Sequence, residues 1–336
     1  MKAIGYRRNL PITEADALED VELPVPEPRP RDLRVRVLAI SVNPVDTKVR
    51  RSRKPADGEV EVLGWDAVGI VDAIGDEVSQ FDVGDRVYYA GAINRPGCNS
   101  ELHLVDERIV ALAPQSLDDL AAAAMPLTTI TAYELLFDRL RIAKGGGADQ
   151  MLLIVGGAGG VGSILIQLAR QLTELKVIAT ASRPETRQWC LDLGAHAVID
   201  HRQPLSSGLQ AAAIGQVDYV AALTHTEEHY AQIIESLKPQ GAIAVIDDMN
   251  SLDAMKLKSK CLALHWELMF TRSLFETPDM AEQGRLLRDV AELIDAGRIR
   301  STANHSLGSI NAANLRKAHA LIESGTAKGK VVLAGF

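Results

Sequence analysis

The segment Met151 to Gly162 reads MLLIVGGAGGVG. The apolar run from Met151 to Val155 stops at a cluster of glycines, and a helical pattern starts immediately after them. A buried strand that turns tightly into a helix has this appearance. Gly157, Gly159 and Gly162 keep the G-x-G-x-x-G spacing, with Gly160 and Val161 between the last two. The first glycine permits a sharp turn, the second lets backbone N–H groups approach a pyrophosphate, and the third lets helix and strand pack closely. A helix beginning near Ser163 aims its unpaired N–H groups and positive dipole end at that pyrophosphate. Without context the same glycines are also compatible with a plain turn.

Downstream, strands and helices alternate. Lys176 to Thr180, Ala197 to Asp200, Val217 to Ala221 and Gly241 to Ile246 read as strands, with helices over Glu185 to Leu193 and Glu227 to Leu237. This order predicts an α/β fold, a Rossmann doubly wound parallel sheet covered on both faces. Ligands of such sheets lie at the carboxyl ends of the strands. Those ends include Ser182 and Arg183, His201, Leu223 and Thr224, and the residues following Ile246. Upstream, LRVRVLAISV (Leu33 to Val42), EVLGWDAVGIVDAI ending at Ile74, and VYYAG after Arg86 are short strands that suggest a β-rich domain over about the first 120 residues. From Asp118 the chain turns alanine- and leucine-rich, and Pro126 opens a helical stretch. An amphipathic helix near Arg285 to Ala296 and a strand from Lys330 to Leu333 close the chain.

The 336 residues suffice for two domains, and 47% hydrophobic with 24% charged residues is a globular composition. A net charge of −8 argues against a nucleic-acid partner. No apolar run approaches the roughly 18 to 20 residues of a membrane span, so no membrane partner is expected. The N-terminus lacks the apolar core of a secretory signal, and three scattered cysteines, Cys98, Cys190 and Cys261, suit a reducing cytoplasm.

The order of parts resembles the medium-chain dehydrogenase/reductase superfamily along essentially the whole chain. The resemblance is carried by SVNPVD (Ser41 to Asp46), GWDAVGIV (Gly64 to Val71), VGDRV (Val83 to Val87), GGAGGVGS (Gly156 to Ser163) and GKVVLAGF (Gly329 to Phe336). Within it the chain is most similar to quinone oxidoreductases, and WELMFTRSLF (Trp266 to Phe275) resembles the branch called zinc-type alcohol dehydrogenase-like. The resemblance implies a GroES-like β-rich catalytic domain from residues 1–125 and 274–336 around a Rossmann NADP-binding domain at 126–273. It also implies a homodimer, joined along the edge of the Rossmann sheet at Trp266 to Phe270, and a cytoplasmic enzyme.

Catalytic zinc needs a thiolate and an imidazole among three protein ligands. Where zinc alcohol dehydrogenases carry the first cysteine this chain has Asn43 to Asp46, and their Gly-His-Glu reads Gly64-Trp65-Asp66. Only Cys98 falls in the region of the structural-zinc lobe, Gly91 to Glu101. Asp66 and His103 are better read as a turn carboxylate and a lone surface histidine, so no metal is expected. A NAD-preferring site carries an acid after its second strand. Here Thr180-Ala181-Ser182-Arg183 has none, and a hydroxyl with a guanidinium suits the 2′-phosphate of NADPH, with Arg187 adding charge. Ser182 is equally suited to capping the helix that begins at Pro184. His201 is expected beside the adenosine, and Gly160, Val161, Leu223, Thr224, Ile246 and Lys330 complete the expected cofactor-binding set.

Without zinc, the expected reaction is hydride delivery from NADPH to a quinone or an α,β-unsaturated carbonyl. The resemblance puts Asn43 and Asp46 facing the nicotinamide and Thr131 beneath it. Asn43 can donate a hydrogen bond to a carbonyl, and Asp46 can relay a proton if burial raises its pKa. Asn before Pro is also an ordinary turn former, and Asp46 an ordinary helix cap. The alternatives are a zinc-dependent alcohol dehydrogenase and an NADP(H)-binding sensor or structural protein with little turnover.

Overall fold

In the computed structural model, which describes every residue from Met1 to Phe336, the alternation after Leu33 appears as an 11-residue strand, Asp32–Val42. It is the central strand of the first of two units, Met1–Ile130 together with Phe270–Phe336. The strands up to that point of division are β1 (Lys2–Tyr6), β2 (Glu19–Glu22), β3 (Asp32–Val42), β4 (Glu61–Val62), β5 (Asp66–Ile74), β6 (Arg86–Ala90), β7 (Leu102–Asp106) and β8 (Val110–Leu112). Helices α1 (Pro44–Ser52), α2 (Asp119–Ala123) and α3 (Pro126–Glu134) accompany them. The stretch Asp119–Arg139 is long enough, and apolar enough over an 18-residue window, to cross a membrane by length and composition alone. Because 83% of that window is buried, it is core helix.

The second unit, Thr131–Met269, holds β9 (Met151–Val155), α4 (Gly160–Leu172), β10 (Lys176–Thr180), α5 (Pro184–Asp192), β11 (Ala197–Ile199), α6 (Leu205–Ala211), β12 (Val217–Ala222), α7 (Thr226–Ser236), β13 (Leu237–Val245) and β14 (Ala263–Trp266). Its six strands lie in the order β11-β10-β9-β12-β13-β14, and every pairing is parallel. The strand order reverses between β9 and β12, so the switch point, where doubly wound sheets bind ligands, falls at the glycine turn. Leu153, Val155, Val220, Ile243 and Val245 are buried in one cluster, as strands covered on both faces require. The edge strand β14 ends at Trp266, the first residue of the stretch expected at the dimer edge. Beyond it, Glu267 is buried and accepts from Arg139 Nε at 2.7 Å, and Met269 is buried as well.

The chain then completes the first unit with α8 (Thr271–Leu274), α9 (Glu282–Asp295), β15 (Ala303–Ser306), α10 (Ala312–Glu323) and β16 (Lys330–Ala334). The main sheet of that unit runs β15-β16-β3-β5-β6-β8, with β7 also pairing β3. β16 pairs antiparallel with β3, Val331 opposite Val42, and this register brings Lys330 beside Asn43.

Candidate functional site

The glycine turn of the second unit separates the motif's jobs differently from the spacing alone. The left-handed φ that demands glycine falls at Gly156 (φ +93°), one residue before the motif. Its N–H donates to Thr180 Oγ1 at 3.0 Å. A Cβ on Gly157 would stand 2.7 Å from Ala179 Cβ, and one on Gly162 would stand 2.4 Å from the Gly156 carbonyl oxygen. Those two glycines are therefore packing requirements of the turn. A Cβ on Gly159 would meet only the Gly156 oxygen at 3.6 Å, so this position faces open space. Gly159 is the N-cap of α4 and brings no side chain to its first N–H groups, those of Gly160 and Val161 among them. Unfilled donors at a helix N-terminus behind a glycine that leaves room form a cradle suited to a pyrophosphate.

The neighbouring strand ends carry the other expected cofactor residues. Leu223 N donates to Val155 O at 3.2 Å and Ile246 N to Ala222 O at 3.3 Å, which continues the sheet's pairing to the rim. Thr224 Oγ1 lies 2.7 Å from His225 Nδ1. Asp247, which sequence reading left without a role, accepts from Thr226 N at 2.9 Å and fixes the start of α7. After β10 the helix cap is Arg183 and not Ser182, because Thr186 Oγ1 accepts the Arg183 N–H at 3.2 Å. Arg183 Nε is 3.1 Å from Glu185, and its side chain is 41% exposed. The Arg187 guanidinium donates to the carbonyls of Ala181 (3.4 Å) and Val198 (2.9 Å), which holds it against the ends of β10 and β11. His201 packs edge-to-face against His229, and burial holds its pKa below the ordinary value.

In the first unit three buried charged residues, Asp46, Asp66 and Lys330, gather where β3, β5 and β16 meet. Asn43 caps α1, and Asp46, three residues on, accepts its backbone N–H at 2.6 Å. Asp66 is fully buried and saturated. Its Oδ1 accepts from Leu127 N at 2.7 Å, and its Oδ2 accepts from Asn43 Nδ2 at 2.8 Å and from Lys330 Nζ at 2.9 Å. Lys330, also buried, donates further to Asn43 Oδ1 and to Val42 O. Both ends of the Asn43 amide are thus engaged, and Lys330, expected at the cofactor, is occupied by a carboxylate of its own unit. Thr131 is buried on α3 at the first position of the second unit.

Asp46 Oδ1 is buried without a hydrogen-bond partner. Burial pushes the Asp46 carboxyl up to about 7, against the opposing pull of the Asn43 N–H and the Lys330 charge. Between about pH 4 and 7 the folded chain therefore keeps a proton that the unfolded chain has lost, and stability falls as pH rises through that window. The penalty above pH 7 is at most about 4 kcal/mol. Asp46→Asn should remove it, so a melting temperature that declines from pH 5 to 8 in the wild type should decline less in the variant. Parallel profiles would rule out this proton.

These residues do not fit a zinc ion. Asn43 and Trp65 stand at the two ligand places, and Trp65 donates to Ala92 O at 3.2 Å with its ring against Phe270. Burial, with the Asp66 carboxylate nearby, pushes the Cys98 thiol well above its usual range, and its Sγ is engaged with the Asp66 carbonyl at 3.5 Å. His103 is buried, not at the surface as expected, and both its nitrogens are taken, by Tyr89 OH and Pro96 O, each at 3.0 Å. No group of three or more His, Cys, Asp or Glu side chains has metal-binding geometry.

Comparison with known proteins agrees with the architecture. The alcohol dehydrogenase GroES-like domain family matches residues 29–115, and the zinc-binding dehydrogenase family matches residues 193–333. A zinc-type alcohol dehydrogenase-like protein of Staphylococcus epidermidis is 40% identical over 336 residues, covering 99% of each chain. A crystal structure from Rhizobium etli CFN 42, provisionally named a zinc-dependent alcohol dehydrogenase protein, is 56% identical. It covers 100% of this chain and 98% of that one with a TM-score of 0.97. Human quinone oxidoreductase is 35% identical over 168 residues, 49% of this chain and 48% of its own.

Proposed function

The chain belongs to the medium-chain dehydrogenase/reductase superfamily of oxidoreductases, and on that premise we propose that it is a zinc-independent, NADPH-dependent reductase of quinones or α,β-unsaturated carbonyls. The observation that carries this reading is the Lys330 ammonium bound between Asp66 and Asn43, in the part of the unit from which a metal would act. With that donor set filled from within the chain, no residues remain to hold a Lewis acid that would polarise a simple alcohol or ketone. An acceptor already activated by conjugation does not need one.

The cofactor fits the residues present. Gly159, Gly160, Val161 and Gly162 would take its pyrophosphate, and Ser182 and Arg183 its 2′-phosphate. His201 would lie beside the adenosine, with Leu223, Thr224 and Ile246 along the strand ends. When bound, NADPH supplies the hydride. In this chain Thr131 would support the nicotinamide, Asn43 would face it while held by Asp66 and Lys330, and the buried Asp46 carboxyl, pushed up to about 7, would be the group able to relay a proton. The quinone reading draws support from the human relative, named a quinone oxidoreductase, whose match spans 49% of this chain. A homodimer would form through the exposed edge of β14, where Trp266 is 55% exposed.

Titration calorimetry of NADPH and NADH on metal-analysed protein, followed by turnover with a quinone and an enone, tests the proposal. Tight NADPH, weak NADH and turnover support it, whereas stoichiometric zinc with NADH preference returns the alcohol dehydrogenase. Binding without turnover leaves an NADP(H)-binding sensor. Arg183→Ala should weaken NADPH by about 10-fold or more, the equivalent of one charge-assisted hydrogen bond, and leave NADH within about twofold. Equal weakening of both would remove the phosphate role of Arg183.

A further inference from the structure

One side chain ties together the loops that follow β10 and β11. Arg202 grips the Asp200 carboxylate through Nε (3.1 and 3.2 Å) and Nη2 (2.6 Å), and its Nη2 also donates to the Ser182 carbonyl at 3.1 Å. The Asp200–Arg202 pair is anchored a second time, by the Arg202 backbone N–H on Asp200 at 3.0 Å. Ser182 follows Gly162 by 20 residues, the distance at which a Rossmann chain meets the cofactor's adenosine ribose. Arg202 thus reaches this point from the adjacent loop.

A guanidinium presents five N–H donors in a rigid fork. Asp200 and the Ser182 carbonyl engage the Nε and Nη2 side, while Nη1 makes no hydrogen bond within the chain. The Ser182 hydroxyl has none either. The side chain is 64% exposed, so the free end of the fork faces solvent beside Ser182.

We propose that Arg202 is a specificity-determining residue, a second guanidinium that binds the cofactor's ribose 2′-phosphate together with Arg183 and the Ser182 hydroxyl. The inference rests on the NADPH reading and adds to it a residue from a different loop. Asp200 has two effects here. It holds the fork in a fixed orientation, so little side-chain freedom is lost on binding. Its own charge is neutralised by Arg202, so this carboxylate neither repels a phosphate nor takes up the ribose hydroxyl in the manner of a NAD-selecting acid. Removal of the guanidinium should both weaken the phosphate contact and expose the acid. The preference should shift from the phosphorylated towards the unphosphorylated ribose.

The test is calorimetric binding of adenosine 2′,5′-bisphosphate and adenosine 5′-monophosphate, which differ only in the 2′-phosphate. It uses the full-length wild type, Arg202→Gln, Arg202→Lys and Arg183→Ala, each checked for an unchanged melting curve. The wild type should prefer the bisphosphate, and Arg202→Gln should cut that preference about 10-fold or more with the monophosphate affinity kept. Arg202→Lys, which keeps the charge without the fork, should keep part of it. If Arg202→Gln retains the wild-type preference while Arg183→Ala loses it, the role of Arg202 is overturned and the NADPH reading stands. A wild type that does not distinguish the two nucleotides overturns both.

Discussion

Gly162→Val is expected to unfold the glycine turn, with a loss of at least about 4 kcal/mol of stability and no measurable NADPH binding. A Cβ at this position would lie 2.4 Å from the Gly156 carbonyl oxygen and 2.7 Å from Gly157 C, and both are backbone atoms of the same tight turn. No rotamer change relieves such a contact, so β9 and α4 must separate. Gly159→Val provides the contrast. There the nearest atom is 3.6 Å away, and a branched side chain would fill the space left for a pyrophosphate. That variant should melt within about 1 kcal/mol of the wild type, as surface substitutions do, yet fail to bind NADPH. Thermal melts with calorimetry separate the two. A Gly159→Val protein with wild-type cofactor affinity would remove the glycine cradle from the site.

Lys330→Met is expected to destabilise the first unit by about 3–5 kcal/mol, because it leaves a buried carboxylate without its cation. Asp66 is 0% exposed, and of the three donors that satisfy it only Lys330 carries charge. The same substitution frees Asn43 Oδ1, so the α1 entrance loses a restraint as well. Combining Lys330→Met with Asp66→Asn should restore part of the loss, since the second change removes the stranded charge. Denaturant titration of the two single variants and the double variant yields the coupling directly. Additive losses would mean that the two groups do not act as a pair.

The parallel sheet was legible because its strands are apolar runs ended by glycine or polar residues, and Met151–Val155 is the clearest of them. Several shorter or mixed elements were not read, β14 and the helix Ala312–Glu323 among them. β14 is four residues with half-buried Leu264 and His265 between exposed ends, too short and too mixed for a periodic signal. The helix Ala312–Glu323 has a narrow apolar stripe broken by charged residues and by His319, which is buried within it. At the site, sequence order identified the glycines and the absence of an acid after β10. It did not assign Lys330 to Asp66, because that contact joins residues 264 positions apart and depends on the register of β16 against β3. Arg202 was missed for a similar reason. Its partner Ser182 is 20 residues earlier, and only the parallel pairing of β10 with β11 brings their loops together. Gly156 was hidden by the motif itself, which assigns the sharp bend to its first glycine, while the left-handed φ lies one residue upstream.

The cation beside Asp66 is part of the polypeptide, and this has a consequence for how the protein meets its surroundings. A bound ion has a dissociation constant, so its occupancy follows supply and it can be stripped or exchanged for a competitor. An ammonium on a strand has a fixed stoichiometry of one from the moment the chain is made. The neighbouring loop is likewise tied internally, through Tyr89, His103 and Pro96. Growth in zinc-depleted medium or passage through a strong chelator should therefore leave the folded fraction of this protein unchanged, where a metal-dependent homologue would fade.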